Sequence, residues 1–347
     1  MRWAQATSAG TVAAGNAAGP MAIAALGLVL LAGLVLFSLV LGVRTIHPSA
    51  AVGAFLSYDP ALAEHLIVRD YRLPRALLAI LCGAAFGVSG ALIQAATRNP
   101  LADPGILGVN AGAAFFVTLA VGVFGWRTID SYLWAAFAGA IMVTLLAYAL
   151  GAAGREGATP VRLVLSGVAL SAVLGGIGAT VTLLDPQAFD ALRQWSVGSV
   201  SGRGMPVVAT VAPFIAVGLV AALAAARPLN ALALGADLAR SLGADVLKAR
   251  ILVVVAVTLL SGAATAAVGP IGFIGLMVPH AVRWCTGPDQ RRIVLLTMVF
   301  SPVLLLAADI AGRLVLYPGE VEAGIVTAFL GAPVLILLAR RSKASGL

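Results

Sequence analysis

The chain has 347 residues, 61% hydrophobic and 10% charged, with a formal net charge of +8 from 22 Lys and Arg against 14 Asp and Glu. Soluble domains carry roughly 25% charged residues, and no soluble fold hides this much apolar surface. The apolar runs are continuous rather than alternating, which excludes a β-barrel too, so the chain reads as an all-α polytopic membrane protein. In such a protein a basic excess marks cytoplasmic loops and lipid contact, not nucleic acid.

In chain order, residues 1–20 are small, polar and rich in Gly and Ala, and are expected to form a disordered tail. The apolar run Met21–Val43 is too long for a signal-peptide core and is read as the first span. A polar, proline-containing segment, Arg44–Tyr71, separates it from further spans at Pro74–Thr97, Gly105–Val123, Tyr132–Ala153 and Val161–Leu184. An amphipathic insert, Asp185–Gly204, comes next, with Phe189, Leu192, Trp195 and Val200 at its apolar positions. The remaining spans are Pro206–Ala226, Ile251–Val268, Ile271–Cys285, Ile293–Arg313 and Ala323–Ala339. That gives about ten helices in one transmembrane domain, 21–341, with a short tail at 342–347. Gly83-x-x-x-Gly87 and Gly108-x-x-x-Gly112 suit close helix packing, although the signal is weak in a chain with 39 glycines. Cys82 and Cys285 both lie in expected spans without C-x-x-C spacing and read as buried apolar thiols.

The stretch Arg72–Gly108 organises the rest. Arg72 and Arg75 bracket Leu73-Pro74, and no further charge occurs until Arg98. The gap of about 22 apolar or small residues crosses ~30 Å of hydrocarbon as a helix. Pro74 is expected in the first turn, where proline is tolerated. Arg98-Asn99-Pro100 stops the helix, and Asp103-Pro104-Gly105 opens the next. This is the pattern of a transport-pathway wall, with arginines at one mouth and a sharp polar turn at the other. Placing the N-terminus in the cytoplasm puts 14 of the Lys and Arg residues inside and 8 outside, as the positive-inside rule favours. The outer side still keeps Arg69, Arg72 and Arg75, which points to an acidic partner there, a lipid contact or a structural pair being the alternatives.

The longest inner connection, 227–250, carries an apolar stripe at Leu229, Leu232, Leu234, Leu238 and Leu242, punctuated by Gly235 and Gly243. Two short helices against the membrane base fit this pattern, whether as a docking foot or as a connector resting on lipid. A faint echo links Ser89-Gly90-Ala91 with Ser261-Gly262-Ala263, on helices expected to run in opposite directions.

Several chemistries have no residues to perform them. There is no G-x-x-x-x-G-K-[ST], H-E-x-x-H, C-x-x-C or G-x-S-x-G in the chain. His47, His65 and His280 are scattered, and His280 reads as structural. Mid-membrane acids, the usual sign of ion coupling, are nearly missing. Asp309 is the clearest, and Arg313 four residues on can pair with it. A conduit without a coupling device or an engine takes its energy from elsewhere. A stand-alone secondary carrier would need coupling groups, and a membrane enzyme a catalytic constellation.

Six blocks carry a resemblance to a family: RLPR at 72–75, SGALIQAATRNPLADPGILGVNAG at 89–112, LNALALGADLARSLG at 229–243, GPIGFIGLMVPHAVR at 269–283, LLAADIAGR at 305–313 and GEVEAGIVTAFLGAPVLILLARR at 319–341. They resemble, in order, the permease subunits of ABC importers for iron–siderophores, haem and vitamin B12, and most closely the ferric-enterobactin type. The resemblance implies a type II ABC importer permease fold of ten helices in the bacterial cytoplasmic (inner) membrane, with both termini cytoplasmic. It implies a second permease subunit, identical or paralogous, two ATP-binding cassette subunits that hold ATP and Mg, and a periplasmic or lipid-anchored binding protein. The chain itself would hold no cofactor, no metal and no catalytic residue. By motif, Arg72, Arg75 and Arg313 would dock the binding protein, and Asn99, Pro100 and Leu101 would form the cytoplasmic gate. Leu234, Gly235, Ala239, Leu242 and Gly243 would couple to the ATPase, and the insert 185–204 would lie near the entry of a ferric siderophore, with haem or vitamin B12 as alternative cargo.

Overall fold

The computed structural model describes residues 19–42, 44–126, 128–153, 159–233, 235–241, 243 and 245–342. Nearly all of the expected tail 1–20, most of the tail 342–347, and Leu234 and Leu242 lie outside the described residues.

The helices are α1 (Pro20–Val40), α2 (Pro48–Leu56), α3 (Ala63–Leu66), α4 (Leu73–Thr97), α5 (Val109–Gly122), α6 (Ile129–Ala152), α7 (Pro160–Leu184), α8 (Pro186–Ser196), α9 (Met205–Ala233), α10 (Ala236–Ser241), α11 (Val246–Val268), α12 (Ile274–Thr286), α13 (Gln290–Val315) and α14 (Ala323–Ser342). Each stretch expected as a span is helical over most of its length, and seven helical runs are long and apolar enough to cross a membrane. By contrast α5, of 14 residues, and α12, of 13, are short of a full crossing.

The helix containing Arg72 starts earlier than Pro74 suggests. A π-turn, Ile67–Arg72, joins α3 to α4, so one helical run extends from Ala63 to Thr97. The Leu73 N–H donates to the Val68 carbonyl five residues back, and Pro74 follows inside a run already wound. The wider π-turn leaves room for its ring.

The core is built around α4, which packs against α9, α11, α12 and α13. Small residues permit the closeness. A Cβ at Gly83 would lie 2.8 Å from the Pro302 Cα, and one at Gly112 2.3 Å from the Gly139 carbonyl oxygen, so both Gly-x-x-x-Gly patterns lie at helix crossings. The two Ser-Gly-Ala tripeptides meet in the interior, where the Ser261 hydroxyl donates to the Ser89 Oγ at 2.9 Å. Their helices run in opposite directions, because the start of α4 and the end of α11 share one mouth of the bundle.

Two expectations are corrected. The 227–250 connection contains one short helix among the described residues, not two, because α9 continues through Pro228 to Ala233. Leu229, 1% exposed, is spent on the core rather than on a separate surface helix. Cys82 is fully buried as expected, but Cys285 is exposed, since it faces out of α12 into a groove open to the membrane.

The other end of α9 is fastened by Asn230, whose amide donates to Asp289 Oδ1 at 2.8 Å and whose carbonyl accepts the Gln290 N–H at 2.8 Å. Asp289 also caps α13 through the Arg291 N–H, at 3.0 Å. The Asn230 hydrogen bond, foremost, holds the Asp289 carboxyl below the usual carboxylate range. A depressed folded pKa means that the stabilisation is complete above the unfolded value of about 3.9 and is lost as pH falls through the folded value. Asp289→Ala is expected to cost about 1 kcal/mol near neutral pH. Thermal melts of the detergent-solubilised protein should show that deficit shrinking below about pH 4.

Candidate functional site: an arginine-framed mouth and a turn at the opposite end

One mouth of the bundle gathers the ends of α1 and α13, the start of α4 and the loop before α9. Two of its arginines are embedded. Arg72, 6% exposed, donates to the Leu39 carbonyl at 2.7 Å and to the Arg44 carbonyl. Its guanidinium lies over Gly42, where a Cβ would come within 2.9 Å of Nη2. Arg313, 2% exposed, donates to the Ser38 carbonyl at 3.0 Å, the Leu41 carbonyl at 3.1 Å and the Ser38 Oγ at 3.0 Å, and pairs with Asp309. Both staple the end of α1 to the bundle through its unpaired carbonyls.

Arg75 is the most open of the three, with 13% of its side chain exposed. Its Nε and Nη2 hold Asp309 Oδ1 at 3.0 and 2.8 Å, and its Nη1 reaches Glu320 at 2.8 Å and Ser201 Oγ at 3.2 Å. Asp309, 1% exposed, therefore bridges two guanidiniums, one through each oxygen. Counting Arg72, Arg75 and Arg313 against Asp309 and Glu320, the cluster keeps one positive charge. Above it opens a cavity of about 410 Å³ lined also by Arg44, Asp70, Tyr71, Gly202 and Arg203.

The amphipathic insert forms the neighbouring wall. Asp185 caps α8 by accepting the Gln187 N–H at 2.9 Å, and Trp195 is buried at its end. The following loop is held by main chain: Ser199 N–H donates to the Val268 carbonyl at 2.7 Å, and Gly324 N–H to the Gly198 carbonyl at 2.9 Å.

At the opposite end, Arg98 closes α4 in the left-handed region (φ 51°). Asn99 then accepts the Leu101 N–H at 3.0 Å, which fixes the turn through the exposed Pro100. Asp103 accepts the Gly105 N–H at 2.8 Å, and burial raises its carboxyl pKa. Nearby, α10 is flanked by Gly235 and Gly243 at φ +106° and +81°, backbone that favours glycine. Ala239 packs inward on it while Asp237, Leu238 and Arg240 face out.

The arginines, the turn and the foot were legible as separate motifs; of their partners only Asp309, four residues before Arg313, was. Glu320, Ser38 and Ser201 carried no signal of their own. Nor did Gln94, whose amide donates to the Gly275 carbonyl at 2.9 Å while its Oε1 accepts from Arg283 at 3.4 Å. An amide alone in an apolar run was the available clue. No group of three or more His, Cys, Asp or Glu able to hold a metal ion occurs among the described residues.

A helical bundle with short broken helices, a cationic mouth and a folded foot defines a membrane permease. The chain belongs to the FecCD transport family, which matches residues 29–341. It is similar to the ferric enterobactin transport system permease protein FepD of Escherichia coli K12, at 45% identity over 96% of this chain and 99% of that one. The probable siderophore transport system permease protein YfiZ of Bacillus subtilis 168 is 38% identical over 83% of this chain and 86% of its own length. A solved structure described as an inward-facing metal-chelate type ABC transporter superposes with a TM-score of 0.81 at 25% identity, covering 92% of this chain and 99% of that one.

Proposed function

We propose that this chain is the permease subunit of an ATP-driven importer that carries a ferric siderophore of the catecholate class across a bacterial inner membrane. The observation that carries the reading is the near full-length likeness to a ferric enterobactin permease. Two permease subunits, two ATP-binding cassette subunits and an outer binding protein complete the machine, with both termini in the cytoplasm.

The geometry supports a division of labour. At the outer mouth Arg72 and Arg313 frame the cup from beneath, and Arg75 is the guanidinium that a carboxylate of the binding protein reaches, displacing Glu320. At the inner end Asn99, Pro100 and Leu101 form the gate turn, and the segment 234–243 seats in the ATPase. The second permease subunit packs on α7, whose apolar length is only 11% buried and whose Gly175 and Gly176 have open space beside them.

The test is uptake of a ferric catecholate by iron-starved cells whose own permease has been deleted, with haem and cobalamin as parallel cargo. The chain should restore catecholate uptake only together with the ATPase and the binding protein. Arg75→Glu should lower uptake about tenfold or more and release the binding protein in pull-down, as loss of a desolvated charge pair does. Glu320→Gln should tighten that pull-down. Uptake of haem or cobalamin alone would sink the substrate assignment, and unchanged pull-down by both variants the docking one.

A further inference from the structure

The one large apolar groove among the described cavities has no part in the transport reading. It measures about 540 Å³ and lies between α1, α12, α13 and α14, lined by Met277, Ala281, Cys285, Leu296, Phe300 and Leu330 among others. Its α13 wall is a single helical stripe, Leu296, Phe300, Val303, Leu304 and Ala307. One turn before Leu296 on that stripe stands Arg292, 55% exposed, whose nearest acid, Asp289, is 3.6 Å away. Helical side chains lean toward the N-terminus, so Arg292 reaches past the end of the groove. Exposed Arg291 lies beside it, and exposed Arg340 stands two residues before the end of α14. On α12, Trp284 is 62% exposed one turn beyond Ala281 and His280 stacks on it edge-on at 4.5 Å, the placement of an interfacial aromatic.

An apolar slot with exposed arginines and a tryptophan on its walls' helices beyond one end is complementary to a single molecule with an anionic head and hydrocarbon tails. We propose that this groove is a binding site for an anionic glycerophospholipid, with an acyl chain along Leu296, Phe300 and Leu330 and the phosphate over Arg291 and Arg292. A zwitterionic lipid brings no net charge for the arginines, and a second copy of the chain would set like charges against each other. The proposal requires only that the chain spans a membrane and is independent of the cargo and the docking partner.

Cys285 provides the probe, because it is exposed in the groove while Cys82 is fully buried. The complete transporter is reconstituted into phosphatidylcholine vesicles with and without phosphatidylglycerol, and N-ethylmaleimide addition at Cys285 is followed by peptide mass spectrometry. Labelling should be several-fold slower with phosphatidylglycerol present, and Arg291→Gln with Arg292→Gln should erase the difference, each arginine accounting for about fivefold in lipid affinity. The control is Leu247→Cys in a Cys285→Ser background, an exposed position at the start of α11 away from the groove. Equal slowing there would mean that surface potential alone acts, and the proposal falls. It falls equally if labelling is independent of lipid charge, or if a short bismaleimide joins Cys285 to Cys285 in both lipids, which would put a second copy over the groove.

Discussion

Asp309→Ala should be the most damaging single substitution at the mouth. The alanine removes the anion shared by Arg75 and Arg313 and leaves the Arg313 guanidinium, 2% exposed, with only carbonyl and hydroxyl acceptors. Breaking one side of a buried ion pair costs about 3–5 kcal/mol, most of it from the stranded charge rather than from the lost attraction. The expected result is a loss of folded protein in the membrane and a melting temperature several degrees lower in detergent. Asp309→Asn keeps the shape and the hydrogen-bond acceptor but not the charge, so it should fall between wild type and alanine. Removing both charges, with Asp309→Leu and Arg313→Met together, should recover part of the loss, because similar-sized apolar residues strand nothing on that side. A double variant as unstable as Asp309→Ala would mean that packing, not charge, holds α13 to the end of α1.

Gly90→Val should prevent assembly of the bundle for a steric reason. A Cβ built on Gly90 lies 2.0 Å from the Gly275 carbonyl oxygen and 2.4 Å from its Cα, all main chain that cannot turn aside. The same approach lets Gln94 bond the Gly275 carbonyl, so separating α4 from α12 forfeits a buried amide's partner as well. Overpacking of a tight core costs about 1–3 kcal/mol where neighbours can move, and here they are backbone, so the effect should exceed that range. Gly90→Ala should already be harmful, while alanine at Gly175, with open space around it, should be silent for the stability of the isolated chain. Expression and gel-filtration profiles of the three variants are the measurement, and a monodisperse Gly90→Val protein would refute the crossing.

Much of this architecture could be read from residue order because a membrane leaves a chain few choices. A run such as 73–97 must be a helix, and its ends are marked by Arg72 and by Arg98-Asn99-Pro100. What could not be read was which distant groups meet. Asp309 shows its i,i+4 relation to Arg313, but nothing in the order of residues places Arg75, more than two hundred positions earlier, on the other oxygen. Pro74 is legible as a first-turn proline and is the second residue of α4, whereas the π-turn before it is a local widening with no composition of its own. The span expected to end at Ala226 runs on through Pro228 to Ala233, since burial of Leu229 outweighs the break a proline invites. Cys285 reads as buried in the sequence and is exposed in the fold, because apolar composition cannot separate a side facing protein from a side facing lipid. The cations at 72 and 313 are visible as charges, yet their depth in the bundle depends on the end of α1, which carries no charge at all.

The loop between α8 and α9 is sewn to the rest of the mouth by peptide groups as well as by side chains, through Ser199 to Val268 and Gly198 to Gly324. A third such stitch, the Val321 N–H to the Gly312 carbonyl at 2.9 Å, ties the opening of α14 back to α13. This part of the rim is thus joined by main chain, which links the end of α8 to α11, α13 and α14 together. Replacing the side chains that face the opening leaves these stitches in place, whereas Ser199→Pro or Val321→Pro would remove a donating N–H, and a Cβ on Gly324 would meet the Val197 carbonyl oxygen at 2.1 Å. The side chains around the opening can then change while the frame beneath them keeps its connections.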